Sequence, residues 1–310
     1  MMTPVRAALA AVLTTALLTV SGCGATVAGA DGDLVDDWRP LTAPAFELPA
    51  AGTCVDRPAS ATFNPLALRG STVGCDRGHR SEVVAVAAVE GGPAQASEAP
   101  ARTSDAFRAA YVACGNAVSD YVGGDWHTGM LGIDVQMPAG APWEGGLRSS
   151  VCSVHQLSDI YGRTASSTES LKGSLSGAAP KALRCFDVNG DKAGDWWGQI
   201  RALTPIDCAQ PHEAEFVGTV QVGTAAGGPL PTAAQLKEWT SDRCWSAAAA
   251  YLGLTAAQLG ARGDVGVAWD GFDDEEWQAG ERTQRCLALF DPGRKARASV
   301  KGLGKRPLPV

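Results

Sequence analysis

Eight cysteines after Cys23 fall into two runs of four, and this doubled framework constrains the fold more than any other feature. Cys54, Cys75, Cys114 and Cys152 are spaced by 21, 39 and 38 residues; Cys185, Cys208, Cys244 and Cys286 by 23, 36 and 42. The neighbours repeat with them. Asp56 and Asp187 lie two residues after the first cysteine of each run. His79 and Glu82 follow Cys75 at +4 and +7, and His212 and Glu215 follow Cys208 at the same offsets. Tyr121 and Tyr251 each lie seven residues after the third cysteine. Trp143, Gly146 and Arg148 precede Cys152 at −9, −6 and −4, as Trp277, Gly280 and Arg282 precede Cys286. So many shared offsets mark a tandem duplication.

The duplication sets the expected organisation. The first copy spans 52–157, a Ser/Thr/Gly/Ala-rich linker 158–181, the second copy 182–292, and a basic tail 293–310. A fainter echo follows each last cysteine, Ser170-Leu171-Lys172-Gly173 against Ser299-Val300-Lys301-Gly302, and reads either as a closing edge strand or as coincidence. Each Glu opens an apolar, strand-like run, and turn residues (Asn64-Pro65 and Asn189-Gly190-Asp191) separate the early segments. The third cysteine sits on a helical pattern: Phe107, Ala110, Tyr111, Cys114, Val118 and Tyr121 recur at three- and four-residue steps, and Leu236, Trp239, Cys244, Ala248 and Tyr251 do much the same. The expected fold is α+β: two tandem, small, disulfide-stapled domains, each a short, mostly antiparallel sheet packed with one main helix.

A unit that folds alone pairs its cysteines internally, which leaves three options per copy. First-with-second and third-with-fourth is favoured, since it clips neighbouring strands and ties the helix to the sheet. Each such loop contributes about 3–4 kcal/mol on the chain-entropy account.

Disulfides require an oxidising compartment, and the start of the chain supplies one. Residues 1–6 carry one positive side chain, and residues 7–20 carry no charge. That run suits a signal peptide and is short for a permanent span. It ends in Val20-Ser21-Gly22-Cys23, the lipobox pattern of bacterial lipoproteins. The expectation is cleavage after residue 22, lipidation of Cys23, a flexible tether over 23–51, and residence at the extracytoplasmic face of the cell membrane. A net charge of −7 argues against a nucleic-acid partner. In the tail, Arg294, Lys295, Arg297, Lys301, Lys305 and Arg306 have no acid among them; such a run can meet anionic lipid or wall polymer, though a solvated tail is the plainer reading.

No catalytic constellation stands out. Cys-x-x-x-His occurs twice, yet a zinc site needs two more ligands per copy and no Cys-x-x-Cys pair is present. No metal and no cofactor are expected. The pairs His79–Glu82 and His212–Glu215 read first as structural, with Arg148 and Arg282 as natural partners for the carboxylates, and second as a binding motif. Asp270, Asp273, Asp274, Glu275 and Glu276 form an acidic cluster that reads as a solvated loop ahead of a weak calcium site.

Cys185-Phe186-Asp187, then Asp207-Cys208-Ala209-Gln210-Pro211-His212-Glu213-Ala214-Glu215-Phe216-Val217-Gly218-Thr219-Val220, then helical Cys244, then Trp277-x-x-Gly280-x-Arg282-x-x-x-Cys286 resembles the septum formation domain family of actinobacterial membrane proteins and lipoproteins. The first copy is looser: Cys75-Asp76-Arg77-Gly78-His79-Arg80-Ser81-Glu82 lacks the Pro before His and the acid after it. The resemblance implies an extracytoplasmic domain linked to cell division and carries over no catalytic residue. The expected function is a non-enzymatic envelope lipoprotein, a binding or scaffold module whose partners are the membrane, through its lipid, and other envelope or divisome proteins or wall polymer. The alternative is an envelope enzyme or ligand-sensing lipoprotein whose site lies between the repeats and uses His79 and His212.

Overall fold

A computed structural model describes residues 46–57, 62–194, 196–223 and 229–310. The signal segment, the lipobox with Cys23 and most of the tether lie outside the described residues. The described residues form one compact unit. No helix among the described residues is long and apolar enough to cross a membrane.

The first copy runs β1 (Cys54–Val55), β2 (Thr62–Phe63), α1 (Pro65–Arg69), β3 (Thr72–Val73), β4 (Ser81–Ala88), α2 (Gly91–Ala94), α3 (Asp105–Val122), β5 (Leu131–Pro138), α4 (Ala141–Glu144) and β6 (Ser149–Gln156). The second runs β7 (Cys185–Ala193), β8 (Trp196–Ile206), β9 (Ala214–Gln221), α5 (Ala233–Leu252), α6 (Ala256–Gly260), β10 (Val265–Trp269), α7 (Asp274–Ala279) and β11 (Thr283–Phe290). The first sheet has the order β2-β5-β6-β4-β1-β3 and the second β10-β11-β9-β7-β8. Apart from β2, which adds to an edge in parallel with β5, the two orders are the same. The duplication is therefore a duplication of topology, and the fold is α+β with a mostly antiparallel sheet in each half.

The main helices form where the apolar spacing placed them. Ser104 caps α3 by accepting from Phe107 N–H, and Thr232 caps α5 in a capping box with Gln235. Each helix ends at a left-handed glycine, Gly123 or Gly253 (φ 80° and 74°), a conformation that costs other residues a Cβ clash. Helix α3 turns Phe107, Cys114, Val118 and Val122 onto the sheet, while Cys244, Ala248, Ala249 and Leu252 of α5 are buried in the second half. The disulfides are Cys54–Cys75, Cys114–Cys152, Cys185–Cys208 and Cys244–Cys286, so each copy clips its first-cysteine strand, β1 or β7, to the turn after β3 or β8 and ties its helix to its last strand.

Three expectations change. The segment 158–181 is not a loose linker, nor is 293–310 a solvated tail: Leu171 and Ser174 are buried in one, and Ala296, Val300, Leu303 and Leu308 in the other. Each segment crosses the C-terminal end of its helix, where the last carbonyls lack partners within the helix. Gly173 and Leu175 donate to Tyr121 O and Val122 O, just as Gly302 and Gly304 donate to Tyr251 O and Leu252 O. Asn189-Gly190-Asp191 is not a turn between strands but lies inside β7, where the register with β8 shifts.

The halves also share a core. Met130 and Leu157 of the first copy and Ile160 of the segment that follows it pack with Leu183, Phe186, Leu203, Leu287 and Leu289 beside the second sheet. Burial of apolar surface, at about 25 cal/mol per Å², holds the copies against each other, with each of the four disulfides lying inside one copy.

Candidate functional site

Sheet register assembles the repeated polar motif. Cys54 faces Glu82 across β1 and β4, and Cys185 faces Glu215 across β7 and β9. The histidine three residues earlier sits on the turn that follows the second cysteine, so its ring reaches back to the glutamate. His79 Nε2 lies 3.0 Å from Glu82 Oε1, and His212 Nε2 lies 2.9 Å from Glu215 Oε1. All four side chains are buried. Each ring donates its Nδ1–H to a carbonyl, Arg77 O at 2.9 Å or Gln210 O at 2.8 Å.

The closing segments complete the network. Glu82 accepts from Leu171 N–H at 2.6 Å, Tyr121 OH at 2.9 Å and Ser170 Oγ at 3.1 Å. Glu215 accepts from Val300 N–H at 2.8 Å, Tyr251 OH at 2.8 Å and Ser299 Oγ at 2.9 Å. A two-stranded bridge joins each histidine to the same segment, His79 with Ser167 and His212 with Ala296. The faint echo at Ser170 and Ser299 is thus part of the repeat, a short latch that delivers a backbone N–H and a hydroxyl to a buried carboxylate.

Both ring nitrogens of His212 face acceptors, which requires a proton on each. Burial works against that charge, but the bonds to Glu215 and to Gln210 O outweigh it and raise the histidine above its ordinary value. Burial likewise opposes ionisation of Glu215, and the bonds from His212, Val300, Tyr251 and Ser299 outweigh it and hold the carboxyl below its ordinary value. Burial pushes Tyr121 and Tyr251 up to about 12, so both stay donors.

Arg148 and Arg282 do not serve these carboxylates as expected. Each guanidinium lies over the tryptophan five residues before it, Trp143 at 3.9 Å and Trp277 at 3.5 Å, and bonds to that tryptophan's carbonyl. A planar cation over an indole face is favourable even near solvent, and the five-residue separation puts ring and cation on one side of the turn into β6 or β11. The acidic cluster is solvated but is not a loop: Asp273, Asp274, Glu275 and Glu276 are exposed at the start of α7, whereas Asp270 is buried. Asp273 caps α7 in a capping box with Glu276, and Asp270 is buried against Arg285.

Where the copies meet, the residues depart from the repeat. Glu281 and Arg285 occupy the offsets that Leu147 and Val151 hold in the first copy. Glu281 Oε2 accepts from Tyr111 OH at 3.0 Å and lies 3.2 Å from His127 Nε2. Arg285 donates to His127 O at 2.9 Å and Leu131 O at 3.0 Å, and its own N–H donates to Asp270 Oδ1 at 2.6 Å. Burial pushes Asp270 up to about 6 against the pull of Arg285. Burial opposes the charge on Glu281 too, yet the bond from His127 keeps its carboxyl below the ordinary value.

Beside this joint lies a cleft of about 570 Å³, lined from both copies by Trp126, Asp134, His155, Tyr161, Phe272 and Glu276 among others. His155 Nδ1 is 2.9 Å from Asp134 Oδ2, close enough for an ion pair but off the line that a hydrogen bond needs. His79 and His212 are not among its lining residues; each is sealed within its own copy. Sequence spacing could not single out His127, Tyr111, Glu281 or Arg285, because none belongs to the repeated pattern.

The septum formation family model matches residues 51–286, one span that covers both copies. No curated protein and no solved structure matches the chain. With its cysteine framework, duplicated His–Glu pair and Trp-x-x-Gly-x-Arg segments inside that span, the chain belongs to the septum formation family.

Proposed function

We propose that the chain is a non-enzymatic envelope lipoprotein, anchored through Cys23 at the outer face of the cytoplasmic membrane, that acts in septum formation as a binding or scaffold module. The observation that carries this reading is where the polar groups go. The His–Glu motif kept in both copies is spent internally: among the described residues, every partner of Glu82 and Glu215 belongs to its own copy or to the segment that closes it. A catalytic carboxylate or histidine needs an approach for substrate, and these have none. The cleft between the copies is open, polar and built from residues that break the repeat, as a contact surface for an envelope or divisome protein or a wall polymer would be. The exposed cations Arg297, Lys301 and Lys305 lie elsewhere, on the segment that closes the second copy.

Complementation of a deletion strain tests this. Wild type should restore septum placement and Cys23→Ala should not, with the latter found outside the membrane fraction. Tyr161→Ala combined with Phe272→Ala should be exported and folded yet fail to complement. Normal septa in the deletion strain would remove the role in division, and full complementation by the cleft variant would remove the cleft as its contact surface.

A further inference from the structure

We propose that each copy carries a redox-gated zinc site, made of Cys54, Cys75, His79 and Glu82 in the first and Cys185, Cys208, His212 and Glu215 in the second, which forms when the disulfide in it is reduced. The Cys-x-x-x-His spacing lacked two ligands in sequence. The sheet supplies them, because the first cysteine and the glutamate face each other across neighbouring strands.

One ligand atom each from Cys54, His79 and Glu82 lie within 4.8 Å of one another, and those of Cys185, His212 and Glu215 do the same. Cys75 and Cys208 are bonded to the first sulfur of each group, so the fourth ligand is already adjacent. Zinc sits about 2.3 Å from sulfur and about 2.0–2.2 Å from nitrogen or oxygen in a tetrahedron. Its ligands are then roughly 3.5 Å apart, a contraction of at most about 1.3 Å from the separations here.

The supporting shell is already present. A zinc-bound histidine almost always donates its other N–H to a carbonyl or carboxylate, which fixes the ring. His79 and His212 do so, to Arg77 O and Gln210 O. A ligating carboxylate is in turn hydrogen-bonded, as Glu82 is by Tyr121 and Ser170, and Glu215 by Tyr251 and Ser299. In the disulfide form the proton between histidine Nε2 and glutamate Oε1 does what the metal would do, and the neutral sulfurs attract no cation.

The gate is chemically selective. Cys75 and Cys208 are half-buried, whereas Cys114, Cys152, Cys244 and Cys286 are buried. A thiolate reaches an exposed sulfur first. Two equivalents of a small thiol, R–SH, reduce Cys54–Cys75 to two thiols and are themselves oxidised to R–S–S–R. Zinc then displaces both thiol protons and the proton shared by His79 and Glu82, three protons per site. The second copy follows the same balance.

The test uses the full chain in detergent micelles, without oxygen. It is treated with a monothiol until peptide mapping shows two bonds opened, then titrated with cobalt(II) as the spectroscopic probe. The expected result is two equivalents bound, a tetrahedral absorption pattern with a thiolate-to-cobalt charge-transfer band, displacement by zinc, and no uptake by the oxidised chain. Cys54→Ser with Cys75→Ser should leave one equivalent. Tyr121→Phe with Tyr251→Phe should keep two equivalents but weaken binding by about 10-fold or more. Opening of Cys114–Cys152 or Cys244–Cys286 first, no opening short of unfolding, no cobalt uptake by the opened chain, or uptake that the serine pair leaves unchanged would each overturn the proposal.

Discussion

His212 Nε2 lies 2.9 Å from Glu215 Oε1, with neither side chain exposed to solvent. The carboxylate at the other end of that bond gathers an amide, a tyrosine and a serine from segments up to 85 residues away in the chain. Taking two charges out of water costs several kcal/mol, and only a full set of hydrogen bonds repays it. Such a pair specifies one arrangement of the closing segment over the helix end, because any other leaves a buried charge short of partners.

Removing one member should therefore be costly. Glu215→Ala strands a buried imidazolium together with Tyr251 and Val300 N–H, and a loss of about 3–5 kcal/mol is expected. Urea unfolding of the variant against wild type measures it. A change under about 1 kcal/mol would mean that water reaches the site and the network is dispensable.

The pair also predicts a pH profile. His212 is raised above 6.5, so its contribution is complete below that value and fades as pH rises through the raised one. Glu215 is lowered from 4.5, so its contribution is complete above that value and fades as pH falls through the lowered one. The latch contributes most between 4.5 and 6.5. Asp270, raised from 3.8 to about 6 by burial, acts in the other direction: its contribution declines as pH rises through that interval. The melting-temperature difference between wild type and Glu215→Gln isolates the latch and should peak in the 4.5–6.5 window. A difference that grows steadily towards alkaline pH contradicts it.

Truncation after residue 292 distinguishes a closing segment from a solvated tail. It removes Ala296, Val300, Leu303 and Leu308 from the second core together with the Val300 amide and Ser299 hydroxyl. Each fully buried large aliphatic contributes about 1.5–3 kcal/mol, so the second half should lose cooperative unfolding. A truncated chain with unchanged near-UV circular dichroism and unchanged melting would restore the tail reading.

Arg285 tests the joint. Arg285→Ala removes both bonds to the first copy and leaves Asp270 buried without its cation, at an expected cost of about 2–5 kcal/mol. Hydrogen exchange should quicken at β5 and β11 while the disulfide-clipped strand β1 keeps its protection. Equal acceleration everywhere would show that the copies unfold as one and that the joint has no local role.

Much of this was legible in the chain because it depends on short offsets. The helices around Cys114 and Cys244, the strands opening at Glu82 and Glu215, and the pairing of histidine with glutamate all follow from residues within one or two turns of each other. The role of Arg148 and Arg282 was not, since a guanidinium is drawn as well to an indole face as to a carboxylate, and only the turn into β6 and β11 decides which is nearer. Nor was the wall of the cleft: Glu281 and Arg285 stand where the first copy has Leu147 and Val151, so comparing the copies pointed away from them.

By itself the sequence determined the duplication, the helix and strand types and the cysteine framework, because propensity, periodicity and repeated spacing act locally. The tertiary structure alone decided that segments 158–181 and 293–310 close the copies they follow. Their polar, small-residue composition reads as linker or tail until a helix end with unpaired carbonyls and a buried carboxylate lies beneath them. It also decided that the two copies form one body, since a shared apolar core depends on which sheet faces meet, and that is a property of packing rather than of any local run of residues.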